Sequence, residues 1–281
     1  MPRSTIHDVG EYYDQTQNHY EMWWQLKKAK SLHYGIWEKD TKNFVESLQN
    51  TDQVLLDKSQ ISENDKVLDA GCGVGGTAIF IAQKRNAQVT GVTLSDKQLE
   101  NAIKNAQDNN VNNLTKFYKQ DFTNTSFPDS SFTIIWACES VSHVKSINAF
   151  CEEASRITTD KGRLILSDFF LSEDNQTDSN DWIKKWEDSW AITKLFTVNQ
   201  LAAGLENHDF KEVEIVDVTD KIERSVYRLY LSYQLGKIPS KIYNALFNVS
   251  PYAKNHYRSG FYQYKAFKQG LWRYKILYAK K

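Results

Sequence analysis

The chain has 281 residues, with 35 Lys and Arg balanced by 35 Asp and Glu, and is long enough to bury one large α/β core with insertions. Three cysteines, Cys72, Cys138 and Cys151, are too few and too scattered for a disulfide framework or a zinc cluster, which points to a reducing compartment and no metal site. The start "MPRSTIHDVGEYYDQ" lacks an apolar signal core, and no later run approaches the ~18 apolar residues of a membrane span, so a soluble, cytoplasmic protein is expected.

Residues 1–60, with "YYDQTQNHYEMWWQLKKAKSLHYGIW", read as an aromatic, helical N-terminal cover. Next, "NDKVLDAGCG" is a short apolar run bounded by turn residues, and "GTAIFIAQKR" spaces Ala78, Ile79, Ile81 and Ala82 as a helix would. A second strand "AQVTGVTLS", a helix "DKQLENAIKNAQDN", a third strand "LTKFYKQDF" and a fourth "SFTIIWACES" follow. Then "SINAFCEEASRI" is amphipathic with Ser146 as its N-cap, and "GRLILSDFF" is an apolar strand after a Lys-Gly turn. This alternation predicts a parallel, doubly wound sheet over residues 61–175.

Residues 176–281 hold the remaining core strands with cap insertions. "DSNDWIKKWEDSWAITKLF" places Trp182, Trp186 and Trp190 on one helical face. "KEVEIVDVT" and "LWRYKILYAKK" add two alternating strands, seven in all, and the stretch of about fifty residues between them is too long for a bare loop and is expected to be helical. From Lys221 to Lys281 thirteen Lys and Arg meet one acid, Glu223, and ten of the fifteen tyrosines lie there. Such a segment suits an anionic substrate, a lipid headgroup or nucleic acid, and equally a lid docked on the acidic remainder of the chain.

"LDAGCGVGG" fits two patterns. Gly71, Gly73 and Gly76 satisfy the dinucleotide G-x-G-x-x-G, whereas Asp69, Gly71, Gly73 and Gly75 satisfy the acid-x-G-x-G-x-G of class I methyltransferases that use S-adenosylmethionine. A pyrophosphate requires a helix N-terminus free of nearby negative charge, while the ammonium of S-adenosylmethionine suits a carboxylate such as Asp69. A dinucleotide-binding strand also ends in an acid some twenty residues on. In "GVTLSDKQ" that place is taken by Thr93, with no Arg for a 2′-phosphate.

"GVTLSDKQ" is similar to the G-[IL]-T-L-S-x-x-Q of the cyclopropane synthase, tocopherol, sterol and sarcosine/dimethylglycine methyltransferases. The resemblance covers about Lys66 to Phe170, and more loosely the "YYD…HYG" region and the closing "GLWRYKILYAKK". It implies an α/β fold, a Rossmann-like doubly wound seven-stranded methyltransferase sheet with a helical N-terminal cover and cap insertions. It also implies S-adenosylmethionine as cofactor and S-adenosylhomocysteine as product. By the same resemblance Thr93 and Gln98 attend the ribose, although Ser95-x-x-Gln98 is also a capping box. Asp121 accepts from the adenine amino group and Phe122 stacks beside the ring.

Glu139 and His143 reproduce an E-x-x-x-H that follows the fourth strand in sterol and tocopherol methyltransferases. Strand ends there face the ligand crevice, so either residue is a candidate base for the acceptor's proton, and Glu139 alternatively a cofactor ligand. Tyr12, Tyr13 and Tyr20 with Trp182 and Trp186 are the expected wall of an aromatic pocket, core packing being the alternative. The implied activity is methylation of carbon, nitrogen or oxygen on a small acceptor: isoprenoid or sterol-like, phenolic or amine, and anionic or drawn from an anionic membrane. An RNA methyltransferase using the basic tail, and a catalytically silent binding protein, are the alternatives. Balanced charge and the lack of a recognised RNA module argue against nucleic acid as partner; oligomeric state is not legible.

Overall fold

The computed structural model describes residues 9–281, with the backbone alone for Met22, Trp23 and Lys27. The first eight residues of the expected cover lie outside the described residues. The cover comprises α1 (Val9–Trp23), α2 (Leu26–Ala29) and α3 (Phe44–Ser59). The first core half follows as β1 (Lys66–Ala70), α4 (Gly76–Arg85), β2 (Gln88–Thr93), α5 (Asp96–Asp108) and β3 (Thr115–Lys119). The second begins with β4 (Phe132–Cys138), a 3-10 turn (Val141–His143), α6 (Ile147–Ile157) and β5 (Thr158–Leu171). It ends with α7 (Trp182–Ser189), α8 (Val198–Glu206), β6 (Lys211–Asp217), α9 (Thr219–Leu246), α10 (Pro251–His256), α11 (Ser259–Lys268) and β7 (Trp272–Lys280).

The strands form one sheet in the order β3-β2-β1-β4-β5-β7-β6. Leu68 of β1 pairs with Thr90 on one side and Ile135 on the other, all parallel. Connections run outward in both directions from this centre, so the carboxyl ends of β1 and β4 flank a crevice, the usual ligand position of such sheets. Because side chains alternate along a strand, Val67, Ile134 and Ile165 join the core under the cover and cap. Leu68, Ile135 and Leu164 join the core under α6 and α8. Ser146 caps α6 as its sequence position implies, its hydroxyl accepting from the Ala149 N–H at 3.2 Å, an interaction typically worth about 1 kcal/mol.

The parallel sheet expected over residues 61–175 is found in β1 to β5, and the last strand departs from it. β7 runs antiparallel between β5 and β6, its first residue Trp272 opposite Leu171, the last residue of β5. The chain leaves β6 at the crevice edge, builds α9 to α11 above that edge, and returns from there, so β7 descends where the others ascend. Its inner residues Trp272, Tyr274 and Ile276 are buried.

Contacts on both sides hold the cover over the crevice. The Asp14 carboxylate on α1 accepts from the Ser95 hydroxyl and from the Lys97 N–H, and the Asp14 carbonyl accepts from Lys97 Nζ at 2.5 Å. On the other side Tyr12 meets the rings of Tyr252 and His256, which α10 carries.

Candidate functional site

At the carboxyl edge of the sheet lies a cavity of about 430 Å³, in the size range of small-ligand sites. Its wall takes residues from α1, the cover loop, the glycine turn, and the segments that follow β2, β3 and β4. Asp69, Gly71, Gly73, Thr93, Gln98, Asp121, Phe122, Glu139 and His143, singled out in sequence, all line it; Gly75 does not, its α-carbon facing Ala102 and Phe117 instead.

The glycine turn bares its backbone to this space. Gly71, Gly73 and Gly75 have φ of +92°, +52° and +82°, conformations that a side chain opposes. A Cβ on Gly71 would stand 2.5 Å from that of Ser140, whereas one on Gly73 would meet nothing within 4 Å. The first glycine therefore serves close packing, and the second leaves room.

Asp69 is buried, and its Oδ2 has no hydrogen-bond partner. Burial, helped by the charge of Asp52 and opposed by His33 and the Ala78 N–H, pushes its carboxyl up to about 7. A buried polar atom without a partner calls for an occupant, and an ammonium fits this one. His33 lines the same cavity: burial alone would lower its pKa, but the charge and proximity of Asp52, with Glu139, raise it to about 9. Its Nε2 is 3.5 Å from Asp52, whose carboxylate also accepts from Thr77 Oγ1 at 2.9 Å.

The Thr93 hydroxyl donates to Gln98 Oε1 at 2.8 Å. The capping box offered by "SDKQ" is half made. Ser95 caps α5, accepting from the Gln98 N–H at 3.0 Å, but the Gln98 side chain turns to Thr93 instead of completing the box, and its amide N–H groups remain as donors at the cavity wall. Asp121 Oδ1 accepts from the N–H and hydroxyl of Thr123 at 2.8 and 2.7 Å. That turn aligns the carboxylate while Phe122 packs edge-on to Phe150.

Glu139 has a left-handed backbone, φ +50°, unusual for a residue with a side chain and common at functional sites. Its Oε1 accepts from the Tyr34 N–H at 2.5 Å and the Tyr274 hydroxyl at 2.7 Å. Burial pushes its carboxyl up to about 8, against the opposing pull of His33 and these hydrogen bonds. The carboxylate is thus anchored from the cover and from β7, two elements far away in sequence.

His143 is held just as firmly. Its Nδ1 is 3.0 Å from the Ala191 carbonyl, which can only accept, so Nδ1 carries the hydrogen. Nε2 then offers a lone pair to the Tyr13 hydroxyl at 3.2 Å. Asp168, pushed up to about 7 by burial, fixes the turn beneath by accepting from the Ser142 N–H at 3.0 Å.

Of the five aromatic residues expected to wall the pocket, Tyr13 alone lines it. Tyr12 and Tyr20 share a hydroxyl hydrogen bond of 2.9 Å, and Tyr20 also accepts from Trp190 Nε1 at 2.7 Å. Trp186 packs in the core against Phe169 and Trp272, and Trp182 stacks on Tyr262. The helical period does not make this division, because Tyr13 and Tyr20, seven residues apart, lie on nearly the same face of α1; hydrogen bonds to Tyr12 and Trp190 hold the Tyr20 hydroxyl in the core, whereas the Tyr13 hydroxyl reaches His143 at the cavity. Sequence reasoning missed His33, Tyr34, Asp168 and Tyr274; the loosely matched "HYG" and the closing strand were the available signals. Among the described residues no group of His, Cys, Asp and Glu is arranged to hold a metal ion.

Comparison with known proteins agrees with this geometry. The family described as "Methyltransferase domain" matches residues 68–166. The 27-O-demethylrifamycin SV methyltransferase of Amycolatopsis mediterranei (strain S699) is 30% identical over 171 residues, 61% of this chain and 61% of that protein. The sterol 24-C-methyltransferase erg-4 of Neurospora crassa is 27% identical over 213 residues, 75% of this chain and 55% of that protein. The match thus spans about six-tenths of these relatives' lengths. The structure of the [4+2]-cyclase SpnF superposes with a TM-score of 0.81 at 19% identity, over 98% of this chain and 95% of that one, a likeness of fold. Residues 68–166 thus match a methyltransferase domain, and the chain resembles the S-adenosylmethionine-dependent small-molecule methyltransferases of the tocopherol, sterol, sarcosine/dimethylglycine and cyclopropane synthase group.

Proposed function

We propose that the protein methylates a small organic acceptor at a hydroxyl or amine, with Tyr13 and His143 removing the proton. The observation that carries this reading is the 3.2 Å contact between the Tyr13 hydroxyl and His143 Nε2 in the wall of the cavity that also holds Asp69, Thr93 and Gln98. S-adenosylmethionine, when bound, supplies a methyl carbon already activated on a sulfonium. Asp69 takes the ammonium, the Gln98 amide with Thr93 the ribose hydroxyls, and Asp121 the adenine amino group. Methyl displacement needs alignment and a dry site more than acid–base chemistry, and the chain provides both by clamping α1 across the crevice.

The acceptor's proton still needs a destination. Burial keeps the Tyr13 phenol well above its ordinary pKa, so Tyr13 does not serve as a standing phenolate. Its hydroxyl would pass a proton to His143 Nε2 as it takes one from the acceptor, whose electron pair would form the new bond to the methyl carbon while the carbon–sulfur bond breaks and its pair stays with the departing thioether of S-adenosylhomocysteine. Glu139, its Oε1 already accepting from the Tyr34 N–H and the Tyr274 hydroxyl, ties the cover to β7 and keeps the site in shape. Three cysteines free of disulfides fit a reducing, cytoplasmic setting.

The test is methyl transfer from isotopically labelled S-adenosylmethionine to phenolic, amine and isoprenoid acceptors, read by mass spectrometry. Labelled product from a phenol or amine, lost in His143→Gln, is expected. Failure of the intact protein to bind the cofactor would overturn the enzyme reading, and labelling on carbon alone would overturn the choice of acceptor atom.

A further inference from the structure

The long helix α9 has two unlike faces. One is sewn into the protein: Ile222, Val226 and Gly236 are buried, Tyr230 stacks on Tyr264 with ring centroids 4.3 Å apart, and Tyr233 packs on Phe261 at 5.1 Å. The other carries Tyr227, Leu231, Leu235, Ile238, Ile242 and Leu246, with exposures of 46%, 41%, 71%, 62%, 55% and 72%. Steps of four and three residues keep these six within about 100° of arc, along roughly 28 Å of helix. An aliphatic stripe of this length and exposure on a water-soluble surface marks a docking site.

Its surroundings select the occupant. From Arg224 to Lys281 the chain has twelve Lys and Arg and no acid, and Lys237, Lys241, Lys254 and Arg258 belong to α9, to α10 and to the turn after it. A second copy packed stripe on stripe would bring two cationic flanks together, which like-charge repulsion opposes. Nucleic acid would complement the charge but gain nothing from Leu and Ile, since base recognition calls for stacking platforms. A surface of anionic headgroups over acyl chains satisfies both features at once. Among the described residues no helix is long and apolar enough to cross a membrane, so α9 would lie in the plane of the surface.

We infer that the exposed face of α9 is a docking surface for an anionic lipid bilayer. The inference is independent of the acceptor and of methyl transfer. α10 packs on α1, so a bilayer under the cap would lie close to the helix that carries Tyr13.

The test is co-flotation of the full chain with phosphatidylcholine vesicles, with and without about 30 mol% phosphatidylglycerol. Binding to the mixed vesicles, weakened by salt and absent with phosphatidylcholine alone, is expected. The double variant Leu235→Glu/Ile238→Glu changes only exposed positions and is expected to lower that binding by about tenfold or more. Lys237→Glu/Lys241→Glu should weaken it to a lesser degree. Calorimetry with S-adenosylhomocysteine on the same proteins should give unchanged affinity, which separates this question from the cofactor site. Equal flotation of both Glu variants and the parent, or no flotation of the parent at low salt, overturns the proposal. So does a dimer in sedimentation that Leu235→Glu/Ile238→Glu dissociates, which would assign the face to a second copy.

Discussion

The Tyr13 hydroxyl and His143 Nε2 stand 3.2 Å apart although 130 residues separate them. One is carried by α1 in the cover, the other by the turn after β4, so the pair exists only when the cover is closed on the sheet. Tyr13→Phe and His143→Gln should each lower kcat by about 10²-fold, the usual scale of acid–base catalysis. Cofactor affinity measured by calorimetry should stay within about threefold, because neither side chain is assigned to the cofactor. Full turnover in both variants would move the base elsewhere, with Glu139→Gln the next substitution to measure.

Asp69 couples ligand binding to pH and to stability. Its folded pKa is raised from the ordinary carboxylate range to about 7, so the fold favours the protonated form. That contribution is present below about pH 4 and is lost as pH rises toward 7. At pH 8 the free protein therefore holds a buried, unpaired charge. Asp69→Asn should raise the melting temperature there by a few degrees, roughly 1–4 kcal/mol of relief, while lowering affinity for S-adenosylmethionine by about 10²-fold. In the parent, affinity should fall as pH drops through about 7, since an ammonium requires the ionised carboxylate. Titration calorimetry from pH 6 to 8.5 checks the second point; a flat profile would remove Asp69 from the ammonium site.

The contact between cover and cap contains a pair of stacked histidines. Nδ1 of His19 and Nδ1 of His256 are 3.0 Å apart, so one donates and the other accepts, and the two rings cannot both be charged. Burial, with His19 adding to it, lowers His256 to about 3, and burial lowers His19 as well. Both folded pKa values lie below the ordinary 6.5, so the unfolded chain takes up protons first. The stabilisation is complete above about pH 6.5 and declines as pH falls toward 3. The raised carboxyls of Asp69, Asp168 and Glu139 act in the opposite direction over the same window, so the histidine pair is read from a difference: between pH 7.5 and 5 the urea midpoint of His256→Phe should rise relative to that of the parent.

Two glycines of one turn should respond differently to alanine. Gly71→Ala forces a Cβ against Ser140, whose hydroxyl donates to the Ala70 carbonyl at 2.6 Å, and should cost roughly 2 kcal/mol of stability from strain and overpacking. Gly73→Ala has open space before it and should cost about 1 kcal/mol for its positive φ alone. Because its methyl group projects from the turn that lines the cavity, it should weaken cofactor binding by more than its effect on melting suggests. Thermal melts and calorimetry on both proteins separate packing from ligand contact.

Local pattern determined what depends on neighbours in sequence. Strand and helix order from Lys66 to Phe170, the Ser146 cap, the glycine turn with Asp69, and the Thr93, Gln98 and Asp121 positions were legible there. Each rests on period, turn chemistry or a motif carried by one stretch of chain. The tertiary structure decided what depends on distant segments meeting. β7 runs antiparallel because the chain re-enters from the cap. Glu139 is anchored by Tyr34 and Tyr274, from opposite ends of the sequence. Tyr13 and Tyr20 share one face of α1, yet Tyr13 reaches His143 at the cavity while Tyr12 and Trp190 hold Tyr20 in the core. Spacing shows that Trp182 and Trp186 share a helix face, but only packing shows that the face looks into Phe169, Trp272 and Tyr262 and away from the crevice. The stripe on α9 is equally invisible in sequence, because Leu and Ile at helical spacing read as core until the opposite face of the helix is found already filled.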